Sequence, residues 1–332
     1  MIKSDTVQTL VSSLANGTDP LTGEEFPSDS PYQNPKIIRA LFKVLNSLSQ
    51  PSITQPHPHM NTEVSIVKNF DYAKVFELTE KTLIQYGAKY KDKKEVIQNL
   101  SEFKKFETTK LTDEDYYEKI VFVIFYSGFR AATVTAKRHI IRGHFPSIKQ
   151  VADYSKHDVK KILSDNNMIR HEKKIEACVK NALLFKELIN RYGSISNYIQ
   201  SFNPKESFEN TLNLKNDLQK KLEFIGPTTI FHFLTDIGMQ VIKPDRVLGR
   251  IFYRLGLVES ENNLLECVLQ GREFAKHTKL PIRYVDIIFV AYGQTRSIEF
   301  GIDKGICLSN PRCEFCGITD YCQFKQKINE KG

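Results

Sequence analysis

The chain has 332 residues, 41% of them hydrophobic, which is enough for one large domain or two modest ones around a buried core. It carries 47 Lys and Arg against 39 Asp and Glu, a net charge of +8 that suits a polyanionic partner. No run of about 18 apolar residues occurs, which excludes a membrane-spanning helix, and with no tryptophan any base stacking falls to Phe, Tyr, His or Arg.

Residues 1–50 read as a small helical module, with periodic stretches over 6–14 and 35–48 on either side of the turn Asp19-Pro20-Leu21-Thr22-Gly23. Residues 51–61 lie in a run with three prolines and no helical period, SQPSITQPHPHMN, and read as a linker. Its His57 and His59 are expected to be solvated. Residues 62–300 then form a nearly all-α domain. Apolar residues recur at three- and four-residue intervals over 74–86, 94–106, 113–127, 148–154, 156–164, 169–192 and 194–202, and alternating strand patterns are scarce.

At about 222–237 helical residues run into Phe224-Ile225-Gly226-Pro227, and Thr228-Thr229 open a new apolar helix. Gly226 suits a tight turn and Pro227 the first helical position. Such a hairpin aims backbone N–H groups at one point, where a phosphate can bind; an ordinary packing corner reads the same way. Farther on, Lys243-Pro244-Asp245 leads into another helix. Asp245 is its expected N-cap, and an ionised carboxylate in a cleft can also stabilise a cationic transition state. Arg246, Arg250 and Arg254 recur every four residues, as either a solvated stripe or a phosphate track.

Residues 301–332 hold Cys307, Cys313, Cys316 and Cys322 in the spacing C-x5-C-x2-C-x5-C. Four thiolates in one short loop are the ligand set of a [4Fe–4S] cluster. Zinc is the rival, although only Cys313 and Cys316 form a CxxC pair. Disulfides fit less well, because the chain starts without an apolar signal segment and is expected to be cytoplasmic. Lys304, Arg312, Lys325 and Lys327 surround the loop and offer cations to a phosphate. Cys178 and Cys267 read as buried structural thiols.

Hairpin, aspartate and cysteine tail, in this order, resemble the helix–hairpin–helix DNA glycosylase superfamily, and within it the iron–sulfur branch typified by endonuclease III and the MutY adenine glycosylases. The approach Val290-Ala291-Tyr292-Gly293 to Cys307 is similar too, and one cysteine interval is five residues where that branch has six. A second resemblance is to 3-methyladenine DNA glycosylase I, through Asn167-Met168-Ile169-Arg170-His171-Glu172-Lys173-Lys174-Ile175 and Phe224-Ile225-Gly226-Pro227-Thr228-Thr229. That family uses a Glu and a Trp in its pocket; the matching stretch here, Tyr126-Ser127-Gly128-Phe129-Arg130, has neither.

These resemblances imply two helical lobes with a cleft, and a monomeric enzyme that flips a damaged base out of duplex DNA. They make Asp245 the catalytic carboxylate, Gly226, Thr228, Thr229, Arg246 and Arg250 contacts to DNA, and Phe129 or Arg130 the wedge that fills the gap. Bifunctional members carry a hairpin lysine where this chain has Thr228, which cannot form a Schiff base, so a monofunctional glycosylase is expected. The expected substrate is an alkylated purine. The alternatives are deaminated, oxidised or mispaired bases, or a non-catalytic DNA-binding module.

Overall fold

A computed structural model describes residues 70–104 and 110–324, together with Val11, Ser13, Leu14, Phe26, Ser30, Ile37 and Leu41. The chain divides into two units, Met1–Glu63 and Val64–Gly332. In the first, Val11, Ser13, Leu14, Ile37 and Leu41 are helical. The rest of the 6–14 and 35–48 stretches, the linker with His57 and His59, and Lys325 and Lys327 lie outside the described residues.

The second unit is helical throughout, and among the described residues the sole extended pairing is one bridge, Ser297 to Ile302. The helices are α1 (Tyr72–Gly87), α2 (Lys93–Ser101), α3 (Asp113–Tyr126), α4 (Ala131–Ala136), α5 (Arg138–His144), α6 (Ile148–Ala152), α7 (Lys156–Ser164), α8 (Glu172–Tyr192), α9 (Ile195–Gln200), α10 (Phe208–Lys221), α11 (Pro227–Asp236), α12 (Arg246–Arg254), α13 (Leu264–Thr278) and α14 (Ile282–Gly293). Their starts follow local chemistry. Thr112 with Asp115, and Ser155 with Asp158, close reciprocal capping boxes on α3 and α7. Ser147, Ser194, Ser207 and Asn263 cap α6, α9, α10 and α13. Among the described residues no helix is long and apolar enough to cross a membrane.

The main helix contacts fall into two groups. In one, α3 packs on α8, α9 and α11, while α8 also holds α6 and α7. In the other, α1, α13 and α14 pack together, with α2 and α12 on α14. The second unit therefore starts in one lobe, crosses to the other near residue 110, and returns between Asp236 and Arg246. Each lobe has its own aromatic centre: Phe252, Phe274 and Phe289 in the first, Tyr117 and Phe185 in the second. Helix α14 carries no clear period of polar and apolar residues. In α14, IRYVDIIFVAYG, burial extends almost all the way round, and a helix buried on every side shows no amphipathic stripe.

Candidate active site

The hairpin between α10 and α11 differs in detail from the expected turn. Gly226 is extended, at φ −90° and ψ 179°, and a Cβ built on it would meet nothing within 4 Å. The left-handed residue is Phe224, at φ +62°, a conformation that costs a bulky side chain roughly 1–2 kcal/mol. Asn181 on α8 holds it there: its Nδ2 donates to the Glu223 carbonyl (3.1 Å) and its Oδ1 accepts from the Glu223 N–H (2.9 Å). Pro227 takes the first position of α11, as expected, and no side chain caps that helix. Among the described residues the N–H groups of Thr228 and Thr229 make no backbone bond, and they lie at the positive end of the helix.

Asp245 caps α12, as the sequence indicates. Its Oδ1 accepts from the N–H groups of Val247 (2.8 Å) and Leu248 (3.3 Å). Its Oδ2 faces the Lys243 ammonium at 3.8 Å, and the side chain is 24% exposed. One carboxylate oxygen is thus committed to the helix, and the other is left to the Lys243 ion pair.

Behind Asp245 a buried charge network ties the lobes together. Arg283 on α14 bonds Asp286 (2.5 Å) and reaches Asp236, the last residue of α11 (3.3 Å). Asp286 Oδ1 accepts from the N–H of Lys243 (3.1 Å), pinning the loop that delivers Asp245. His232 Nε2 lies 3.3 Å from Asp236. Burial pushes the Asp286 carboxyl up to about 6, partly offset by Arg283, and pushes His232 down to about 3. None of these partners was assigned from sequence, although Arg283 and Asp286 sit three apart in an otherwise apolar run.

The predicted wedge is at the surface. Phe129 is 38% exposed and follows Gly128 at φ +77°, and Arg130, the N-cap of α4, is exposed as well. The Phe129 ring meets the edge of His171, which in turn meets Phe224, itself 37% exposed. The turn after α3 and the hairpin tip therefore form one aromatic surface, which the sequence reading did not anticipate beyond Phe129.

The arginine stripe is corrected. Only Arg246 is exposed. Arg250 donates to the carbonyls of Cys307 (3.1 Å) and Gly293 (2.8 Å). Arg254 donates to Cys307 Sγ (3.2 Å), Leu308 O (2.6 Å) and Ser309 O (2.9 Å). These two cations serve the cysteine tail and are not available to a phosphate. Arg312 is engaged in the same way, bonding Tyr86 OH (2.6 Å) and Lys304 O (3.0 Å) with its guanidinium on the Phe315 ring.

All four tail thiols are unpaired and partly buried. Cys307 accepts from Arg254 and Cys316 from Tyr292 OH (3.2 Å). Burial raises both thiols, and those donors pull them back down. Among the described residues no group of three or more His, Cys, Asp or Glu side chains is arranged to hold a single metal ion. Cys178 and Cys267 are fully buried, as expected.

The family described as methyladenine glycosylase matches residues 104–243. The match spans the lobe from α3 to α11 and stops before Asp245 and the cysteines. The solved 3-methyladenine DNA glycosylase I of Staphylococcus aureus is 21% identical, with 42% of this chain and 84% of that chain covered and a TM-score of 0.36. The 8-oxoguanine DNA glycosylase of Methanocaldococcus jannaschii is 19% identical over 66% of this chain and 95% of that one, at a TM-score of 0.42. That of Thermotoga maritima is 18% identical over 64% and 95%, with the same TM-score. The chain is an enzyme, a DNA glycosylase.

Proposed function

We propose that the enzyme removes an alkylated purine of the 3-methyladenine kind from duplex DNA by hydrolysing its N-glycosidic bond, leaving the strand uncut. The observation that carries this reading is the divided use of Asp245, with Oδ1 fixed by α12 and Oδ2 left off the helix, 3.8 Å from the Lys243 ammonium on a part-exposed side chain. Departure of the base builds positive charge on the sugar, and a held carboxylate stabilises that charge without reorganising. The hairpin N–H groups of Thr228 and Thr229 would bind a backbone phosphate, Arg246 would add charge, and Phe129 would fill the space of the flipped nucleotide. The two-lobed arrangement agrees with a helix–hairpin–helix glycosylase fold, and the methyladenine glycosylase match supports the substrate class.

Thr228 has no amine, so no Schiff base forms and strand cleavage is not expected. Cys307, Cys313, Cys316 and Cys322 would hold a [4Fe–4S] cluster. Four unpaired thiols, two of them receiving hydrogen bonds on sulfur, suit thiolate ligation of such a cluster. Bound there, the cluster would act as a structural staple for a tail with little core of its own. Arg250 and Arg254 hold that tail against the helix that begins at Asp245.

Duplexes carrying single defined lesions test the assignment. Free methylated purine should appear, with strand breaks only after alkali and no covalent complex trapped by borohydride. Release of an oxidised or mispaired base instead would overturn the substrate class, and a robust trapped adduct would overturn monofunctional hydrolysis.

A further inference from the structure

The turn after α3 and the hairpin tip lie far apart in sequence, yet one buried amine joins them. Lys174, near the start of α8, is 2% exposed. Its Nζ donates to the carbonyls of Ile124 and of Ser127 (2.5 Å), acceptors of the kind that a helix C-terminus leaves without N–H partners. A cation there also suits the negative end of α3. The same Nζ lies 5.2 Å from the Phe129 ring centroid and 4.8 Å from that of Phe224, within cation–π reach. Asn181, two turns along α8, holds Phe224 in its left-handed conformation through Glu223. A hydrophobic residue held in an unfavourable conformation and still 37% exposed points to something that packs on its ring.

We propose that Lys174 is a positioning residue that locks the Phe129 turn and the Phe224 hairpin tip into one aromatic platform, on which a base unstacked from the duplex packs. This rests on the reading of the hairpin face as the side that meets DNA. Lys174 acts through the two rings and touches no reacting atom. The ionisable group that bears on it is Cys178, on its own helix, and His171 lies against the same two rings. Burial brings the Lys174 ammonium down to about 8, so the lock weakens as pH rises through that value.

Duplexes with 2-aminopurine opposite the lesion report unstacking by a rise in fluorescence. Phe129→Leu and Phe224→Leu should each reduce that rise and lower affinity for the duplex about tenfold, the scale of one base–aromatic stack. Tyr90→Leu, which alters an exposed ring elsewhere (60% exposed), should change neither. Lys174→Met should lose as much as the two leucine variants combined, and Lys174→Arg should restore most of it. Between pH 7 and 9 the wild-type signal should fall, while that of Lys174→Arg stays flat. Wild-type fluorescence from Phe224→Leu beside a defective Phe129→Leu would remove Phe224 from the platform and overturn the proposal. So would a normal Lys174→Met protein. If Phe129→Leu also behaves as wild type while the methylated base is still excised, the hairpin face is not where the duplex sits. That result overturns the platform along with the reading beneath it.

Discussion

At the N-terminus of α11 no side chain caps the helix, Pro227 takes the first position, and the space above Gly226 is open. At the N-terminus of α12 Asp245 supplies the anion itself and satisfies two N–H groups. The same unpaired donors are thus left for a visitor at one corner and closed internally at the other. The open corner can bind a phosphate; the closed one holds a carboxylate with one oxygen to spare. On the proposed reading, binding and chemistry would fall to two successive helix starts that differ in which residue stands at the cap.

The network behind the closed corner is the most direct way to break this arrangement. Arg283→Met leaves the buried Asp286 and the part-exposed Asp236 without their cation, and the expected loss is about 3 kcal/mol of stability in urea unfolding. A loss below about 1 kcal/mol would show that the loop carrying Asp245 is held by other means.

Gly226→Asp sharpens the comparison by turning the open corner into a copy of the closed one. Asp caps a helix slightly better than Gly, so stability should rise by a few tenths of a kcal/mol. Affinity for duplex DNA should fall about tenfold, and the slope of log K against log salt should drop by about one phosphate. Unchanged affinity would mean that the hairpin binds no phosphate.

A pH slope tests the same network from its histidine. His232 is pushed down to about 3, below its ordinary value of 6.5, so its contribution to stability is complete above 6.5 and is lost as pH falls toward 3. In that window the wild type should lose roughly 1 kcal/mol per pH unit more than His232→Gln, measured by urea unfolding. Parallel pH curves for the two proteins would contradict this.

The two corners were legible in the sequence because caps are local. Gly-Pro-Thr-Thr marks one helix start and Lys-Pro-Asp-Arg the other, and both helices begin there. What Arg250 and Arg254 touch was not legible. A four-residue interval places them on one face, but the partner of that face arrives more than fifty positions later in the cysteine tail. Lys174 was hidden for a related reason. A lysine on a helix ordinarily faces water, and only the folded chain brings two helix-end carbonyls and two rings around its amine. The Arg283–Asp286 pair left a signal, two charges in an apolar run, without indicating which element they hold.

Asp245→Asn tests the central claim most directly, because Asn caps a helix as well as Asp and removes only the charge. Binding to a duplex with one methylated purine and single-turnover release of that base should be measured on the same preparation. Stability and affinity should stay within about twofold of wild type, while the excision rate falls roughly 10²–10³-fold. Excision at the wild-type rate by a correctly folded variant would contradict the account, since the carboxylate would then play no part in the reaction.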